Sequence, residues 1–194
     1  LFTETSQVPW MQIAAAAMAA PELTFTTGIA VAFPRSPMLS AAVAYELADN
    51  TGGRFRLGLG SQVKAHIERR YSAEFDRPAA RLRDYVQAVQ ACWRAFNREE
   101  RLAHDGEFYQ MSLLPRDWSP KAHDHPMKVD ISAVGPIMTR VAGEVADGVH
   151  VHPLHSMPYI ENRLKPDLAK GAAKAGRSVD DIDLIIPVFA CPGD

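Results

Sequence analysis

Apolar and polar positions along this chain follow two alternating rhythms. Dense β-branched and aromatic runs occupy residues 23–33, 127–134, 149–152 and 183–191, and Phe55, Leu57 and Leu59 alternate with Arg56 and two glycines. Those runs predict strands. Between them, apolar residues recur at three- and four-residue spacing over 38–49, over 78–96 (Leu82, Tyr85, Val86, Val89, Trp93), over 137–146 and over 158–174. That spacing predicts helices. An alanine-rich helix over 11–18 follows Pro9 and stops before Pro21, and residues 1–3 read as the end of a further strand. No two-residue hairpin signal joins any pair of strands, so the order is that of parallel βα units with about six strands. A (β/α)8 barrel, a TIM barrel, has eight strands in about 250 residues. The pattern therefore predicts a single domain over 1–194 that is an incomplete barrel, an interior piece with its ends missing, with an open doubly wound sheet as the alternative.

One stretch looks built to hold a ligand. Gly58 and Gly60 end the strand at 55–60, and Ser61, Gln62, Lys64, His66, Arg69 and Arg70 follow on a polar turn and helix start. Glycines let backbone approach a flat ring or a phosphate, and a helix N-terminus with cationic side chains attracts anions. A tight structural turn is the competing reading, since the third glycine of the dinucleotide fingerprint is absent. Gly135-Pro136 opens another helix whose amides suit a phosphate. Residues 97–128 carry little periodicity, which marks an irregular excursion or lid. His150 and His152 fall on one face of a strand with His155 beyond, a usable metal pair that lacks a carboxylate in the same loop.

Composition narrows the function classes. Hydrophobic residues make up 47% of the chain, enough for a substantial core, and the net charge of -2 gives no footprint for nucleic acid or a basic membrane face. A small-molecule substrate is the expected partner. Cys92 and Cys191 are far apart and in no metal or redox spacing, which suits unpaired thiols in a reducing cytoplasm. The apolar run at 11–20 is too short to span a bilayer and has no basic region before it. The chain starts without methionine on strand-like residues, as a truncated sequence would.

The stretch Arg54-Phe-Arg-Leu-Gly-Leu-Gly-Ser-Gln-Val-Lys-Ala-His-Ile-Glu-Arg-Arg-Tyr71, with Ala30-Val-Ala-Phe-Pro-Arg-Ser-Pro37, Ala133-Val-Gly-Pro136 and Val141-Ala-Gly-Glu-Val-Ala-Asp-Gly-Val149, resembles the luciferase-like monooxygenase superfamily. More narrowly it is similar to the actinobacterial coenzyme F420-dependent oxidoreductases. The resemblance implies a (β/α)8 barrel holding the deazaflavin F420, or FMN, at the carboxyl ends of the strands, and hydride transfer to or from an organic substrate. It implies that Glu4 and Thr5 lie beside the ring with Trp10 nearby, although relatives often carry histidine where Thr5 stands. It further implies a non-prolyl cis peptide between Gly28 and Ile29 behind the ring, and His66 at the ring's pyrimidine edge with Gly60 and Ser61. Arg69 would reach the cofactor tail, Gly135 and Pro136 its phosphate, and His152 the cofactor mouth. Relatives commonly form dimers. Three rival readings follow: an FMN-dependent monooxygenase, a truncated form with no activity of its own, and a metal-dependent barrel hydrolase using the histidines.

Overall fold

The computed structural model describes residues 1–188, 191 and 193. In chain order its elements are α1 (Pro9–Ala19), β1 (Phe25–Thr26), β2 (Ala30–Val31), α2 (Pro37–Asn50), β3 (Phe55–Gly60), α3 (Lys64–Arg69) and α4 (Pro78–Phe96). There follow β4 (His104–Asp105), β5 (Gln110–Met111), β6 (Lys128–Ser132), α5 (Pro136–Val145), β7 (Gly148–His150), α6 (Met157–Tyr159), α7 (Lys165–Lys174) and β8 (Asp183–Ile185). A π-helical turn at Ile160–Leu164 joins α6 to α7. Proline stands at the first turn of α1, α2, α4 and α5, where its fixed φ suits the helix and its missing N–H is not needed.

The strands form one six-stranded parallel sheet in the order β1, β3, β6, β7, β8, with β2 also on β3 and a single bridge from Phe2 to Thr27 extending the first edge. It curls as half a barrel, which agrees with the incomplete barrel predicted from the pattern. Odd-numbered side chains of the strands (Phe55, Leu57, Leu59, Val129, Ile131, Val149) are buried in the core cluster beneath Leu82, Tyr85, Val86, Val89, Val141 and Ala142 of the helices. On β3, β6 and β7 the even-numbered ones face the opposite, interior side, and the register puts Asp183 of β8 on that side as well. There Arg56 donates to Asp130 at 2.8 and 2.6 Å and to Asp183 at 2.6 Å. Asp130, Gly148 and Asp183 share one level of the register, so this ion cluster forms a layer across three strands.

Several elements differ from the sequence expectation. The run at 23–33 is two short strands, because the Gly28–Ile29 peptide is cis, as the resemblance implied, and the ladder breaks there. Thr27 spans the break, its hydroxyl donating to the Gly58 carbonyl at 2.7 Å and accepting from the Gly58 amide at 2.9 Å. Residues 1–3 contribute one bridge rather than a strand. β7 stops at His150, so His152 lies beyond the strand, although both line the same cleft: Pro153 has no N–H for the ladder, and His152 Nδ1 accepts from Leu154 N at 3.2 Å. β8 is shorter than 183–191, with Pro187 following it and Phe189 and Ala190 outside the described residues.

The excursion at 97–128 is less irregular than its composition suggests. β4 and β5 make a small antiparallel pair, pinned to α4 by the buried Asp84. Its carboxylate accepts from Phe108 N at 2.6 Å and Tyr109 N at 3.0 Å and pairs with His104 Nε2 at 2.7 Å. Tyr45 stacks on His123 at 3.9 Å and holds the far end of the segment.

Candidate functional site

The carboxyl ends of the parallel strands converge on one cleft of about 150 Å³ lined by Gly28, Ile29, Ser132, His150, His152 and Pro187, together with Leu1, Val134, Val151 and Pro153. Open α/β folds place ligands at this end, because the loops there are free to vary while the sheet beneath is rigid. Beneath it β3 carries glycines for a steric reason. A Cβ on Gly58 would strike the Thr27 carbonyl and stand 2.5 Å from His150 Nε2, and one on Gly60 would stand 2.7 Å from the Ile29 side chain. Gly28, Ile29 and His152, all expected from the resemblance, meet here.

His150 is the residue that sequence reasoning passed over. The sequence expectation gives it no role beyond a possible metal pair with His152, whereas it is 6% exposed and both ring nitrogens lack a hydrogen-bond partner among the described residues. Burial pushes its pKa below the ordinary imidazole value, so it is neutral. The signal for it lay in Gly58, but only the fold connects the two. Of the three histidines His150 alone is buried: the rings of His152, which is exposed, and His155 lie 5.7 Å apart, and His155 also lies against Tyr159 at 4.2 Å. Among the described residues no three His, Cys, Asp or Glu side chains form a metal-holding group.

Glu4 lies beyond the first bridge and is buried. It accepts from Val31 N at 2.8 Å and Arg35 Nη1 at 2.8 Å, and pairs with Arg35 Nη2 as well. The Arg35 guanidinium sits 5.8 Å from the centre of the half-buried Trp10 ring. Glu4, Arg35 and Trp10 thus form one cluster beside β2. Thr5 is exposed, and its carbonyl accepts from Arg70 Nη2 at 2.6 Å. His66 and Arg69 are exposed on α3, and neither lines the cleft. Ser61 is half-buried, its hydroxyl donating to the Gln62 carbonyl at 3.3 Å.

Gly135 and Pro136 line a separate surface hollow of about 540 Å³, shared with Arg77, Pro78 and Ile137. The N-termini of α4 and α5 both open onto it. Nothing lies within 4 Å of the position a Gly135 Cβ would take, so its backbone is free to approach an anionic group. Arg77 is exposed at its rim and paired with Glu107 and Asp76.

Comparison with known proteins gives a consistent set of relatives. The sequence profile of the luciferase-like monooxygenase family matches residues 1–194. An uncharacterized protein of Mycobacterium tuberculosis strain H37Rv is 37% identical over 191 residues, covering 98% of this chain and 56% of that protein. An F420-dependent glucose-6-phosphate dehydrogenase of Nocardia farcinica is 34% identical over 143 residues, covering 70% of this chain and 40% of that enzyme. In fold, the chain is similar to an F420-dependent secondary alcohol dehydrogenase solved with an F420–acetone adduct, with a TM-score of 0.81, 17% identity, and coverage of 93% of this chain and 53% of that one. The chain thus spans about half the length of the relatives it matches.

Proposed function

The chain belongs to the luciferase-like monooxygenase family, and from that premise we propose an oxidoreductase that passes a hydride between coenzyme F420 and a small organic substrate. The observation that carries this reading is the cleft at the strand ends, bordered by Gly28 and Ile29 and with a predominantly apolar lining. The F420-dependent relatives support the choice of cofactor.

The residues present suit such a group. Gly58 and Gly60 let the Thr27 carbonyl, the His150 ring and the Ile29 side chain close in beneath the cleft, the Gly28–Ile29 peptide would back a flat ring, and Ser132 and His152 offer polar contacts at the rim. The free amides of α5 behind Gly135-Pro136 suit a phosphate, since a helix N-terminus carries partial positive charge. Bound there, the deazaflavin supplies hydride transfer at its C5. The protein's part is to orient ring and substrate and to exclude water. Glu4, fixed by Arg35 and the Val31 amide, anchors the loop that carries Thr5, with Trp10 against Arg35. His66 and Arg69 on α3 would approach the cofactor from outside the cleft. A cytoplasmic homodimer belongs to the same reading, with exposed Leu113 and Trp118 as apolar surface for assembly.

Titration of the full chain with F420 and with FMN, followed by fluorescence, tests the proposal. Saturable F420 binding is expected. Tight FMN binding without F420 binding would replace it with the second reading, a flavin monooxygenase that activates dioxygen, which the family's description as monooxygenases favours. His66→Ala is expected to weaken F420 binding by about tenfold, the equivalent of one hydrogen bond of about 1.4 kcal/mol. Unchanged affinity removes His66 from the site.

A further inference from the structure

Among the described residues the buried Asp130 on the interior face is paired, and His150 is not. Asp130, the nearest interior carboxylate layer, is held bidentately by Arg56 and so is not free to serve the imidazole. Burying a polar ring without a partner costs about 1–3 kcal/mol, which Phe or Leu would avoid. The ring nevertheless packs closely on the sheet: a Cβ on Gly58 would strike the Thr27 carbonyl first and would also stand 2.5 Å from Nε2. The ring lines the cleft beside Gly28, Ile29 and Ser132, at the level of Ser132 in the register.

We infer that His150 is a ligand-contacting residue, its imidazole hydrogen-bonding a carbonyl or hydroxyl group of a neutral organic ligand held in the cleft. This rests on the proposed function, in that the cleft is taken as the place where cofactor and substrate meet. A neutral imidazole offers one N–H and one lone pair, so it can serve either group. The apolar side chains around it, Ile29, Val134, Val151 and Pro187 among them, disfavour an anionic partner at this point. The group could belong to the ring edge of the cofactor or to the substrate.

The test is a two-bond ¹H–¹⁵N spectrum of the full chain with ¹⁵N-labelled histidine, the His150 signals being assigned with His150→Gln. F420 is added first, then acetone as a small carbonyl probe. A shift of the His150 ring nitrogens on adding F420 assigns the contact to the ring edge, and a shift only on adding acetone assigns it to the substrate. Bound F420 or FMN with His150 signals unmoved at both steps overturns the inference and leaves the functional reading standing. Failure of the wild-type chain to bind either cofactor overturns both. Independently, His150→Phe is expected to weaken the ligand concerned by about tenfold while His150→Gln stays within about threefold. Equal affinities for wild type and His150→Phe make the ring a packing element only. Should His150→Phe fail to fold, the wild-type spectra still decide.

Discussion

Arg56 joins three strands through one side chain. Its guanidinium neutralises Asp130, which is fully buried, and also reaches the half-exposed Asp183. Removing it would strand a carboxylate in the interior, so Arg56→Met is expected to cost about 3–5 kcal/mol in urea denaturation, and a loss under about 1 kcal/mol would show that Asp130 finds another partner. His150 makes the pH prediction. Its folded pKa lies below the ordinary value of 6.5, so the unfolded chain takes up a proton first as pH falls. Its contribution to stability is therefore fully present above pH 6.5 and is lost as pH drops from there through the folded pKa. Asp147, raised by burial, runs in the opposite sense, whereas Asp167 and Asp183, held low by Arg140 and Arg56, act only below 3.8. The informative comparison is thus between wild type and variant. His150→Phe should lose less stability than wild type as pH falls below 6.5. Parallel curves would show that His150 does not titrate in this window. In the sequence Arg56 was only the polar member of an alternation, and His150 one of three similar histidines.

Among the elements, α5 and α7 show how small residues set distance. A Cβ on Gly143 would strike the Leu168 carbonyl, and one on Gly171 the Arg140 carbonyl, so these two helices touch backbone to backbone. Gly171→Val should force them apart and cost about 3 kcal/mol, the upper end for overpacking, measured by thermal or urea unfolding. A neutral result would show that the pair slides freely. Helices were the most legible elements because their period is local: α4 has the bounds read from its apolar stripe, Pro78 to Phe96. Strand ends were less so. Pro153 and Pro187 mark where β7 and β8 stop, but where a strand stops also depends on partner strands far away in sequence. The hairpin of β4 and β5 was hidden for the same reason, since its anchor is Asp84 on α4.

For the whole molecule, the sheet has two open edges among the described residues, at the Phe2 bridge and at β8. Unpaired edges template association. The 194 residues expressed alone are expected to self-associate at micromolar concentration by light scattering, and a strictly monomeric sample would show the edges to be protected.

The sequence by itself determined the order of strands and helices and their parallel class, because periods of 2 and 3.6 residues, and proline at helix starts, are written locally, whereas the choice of a barrel over an open doubly wound sheet rested on the family motifs. The family motifs added the glycine-rich strand end and the cis peptide at Gly28–Ile29. Only the tertiary structure decided which side chains share the cleft. Facing depends on register between strands that are distant in sequence: Gly58 clears space on one strand for a ring that arrives on another, leaving His150 buried, neutral and unpartnered while His152 stands at the rim.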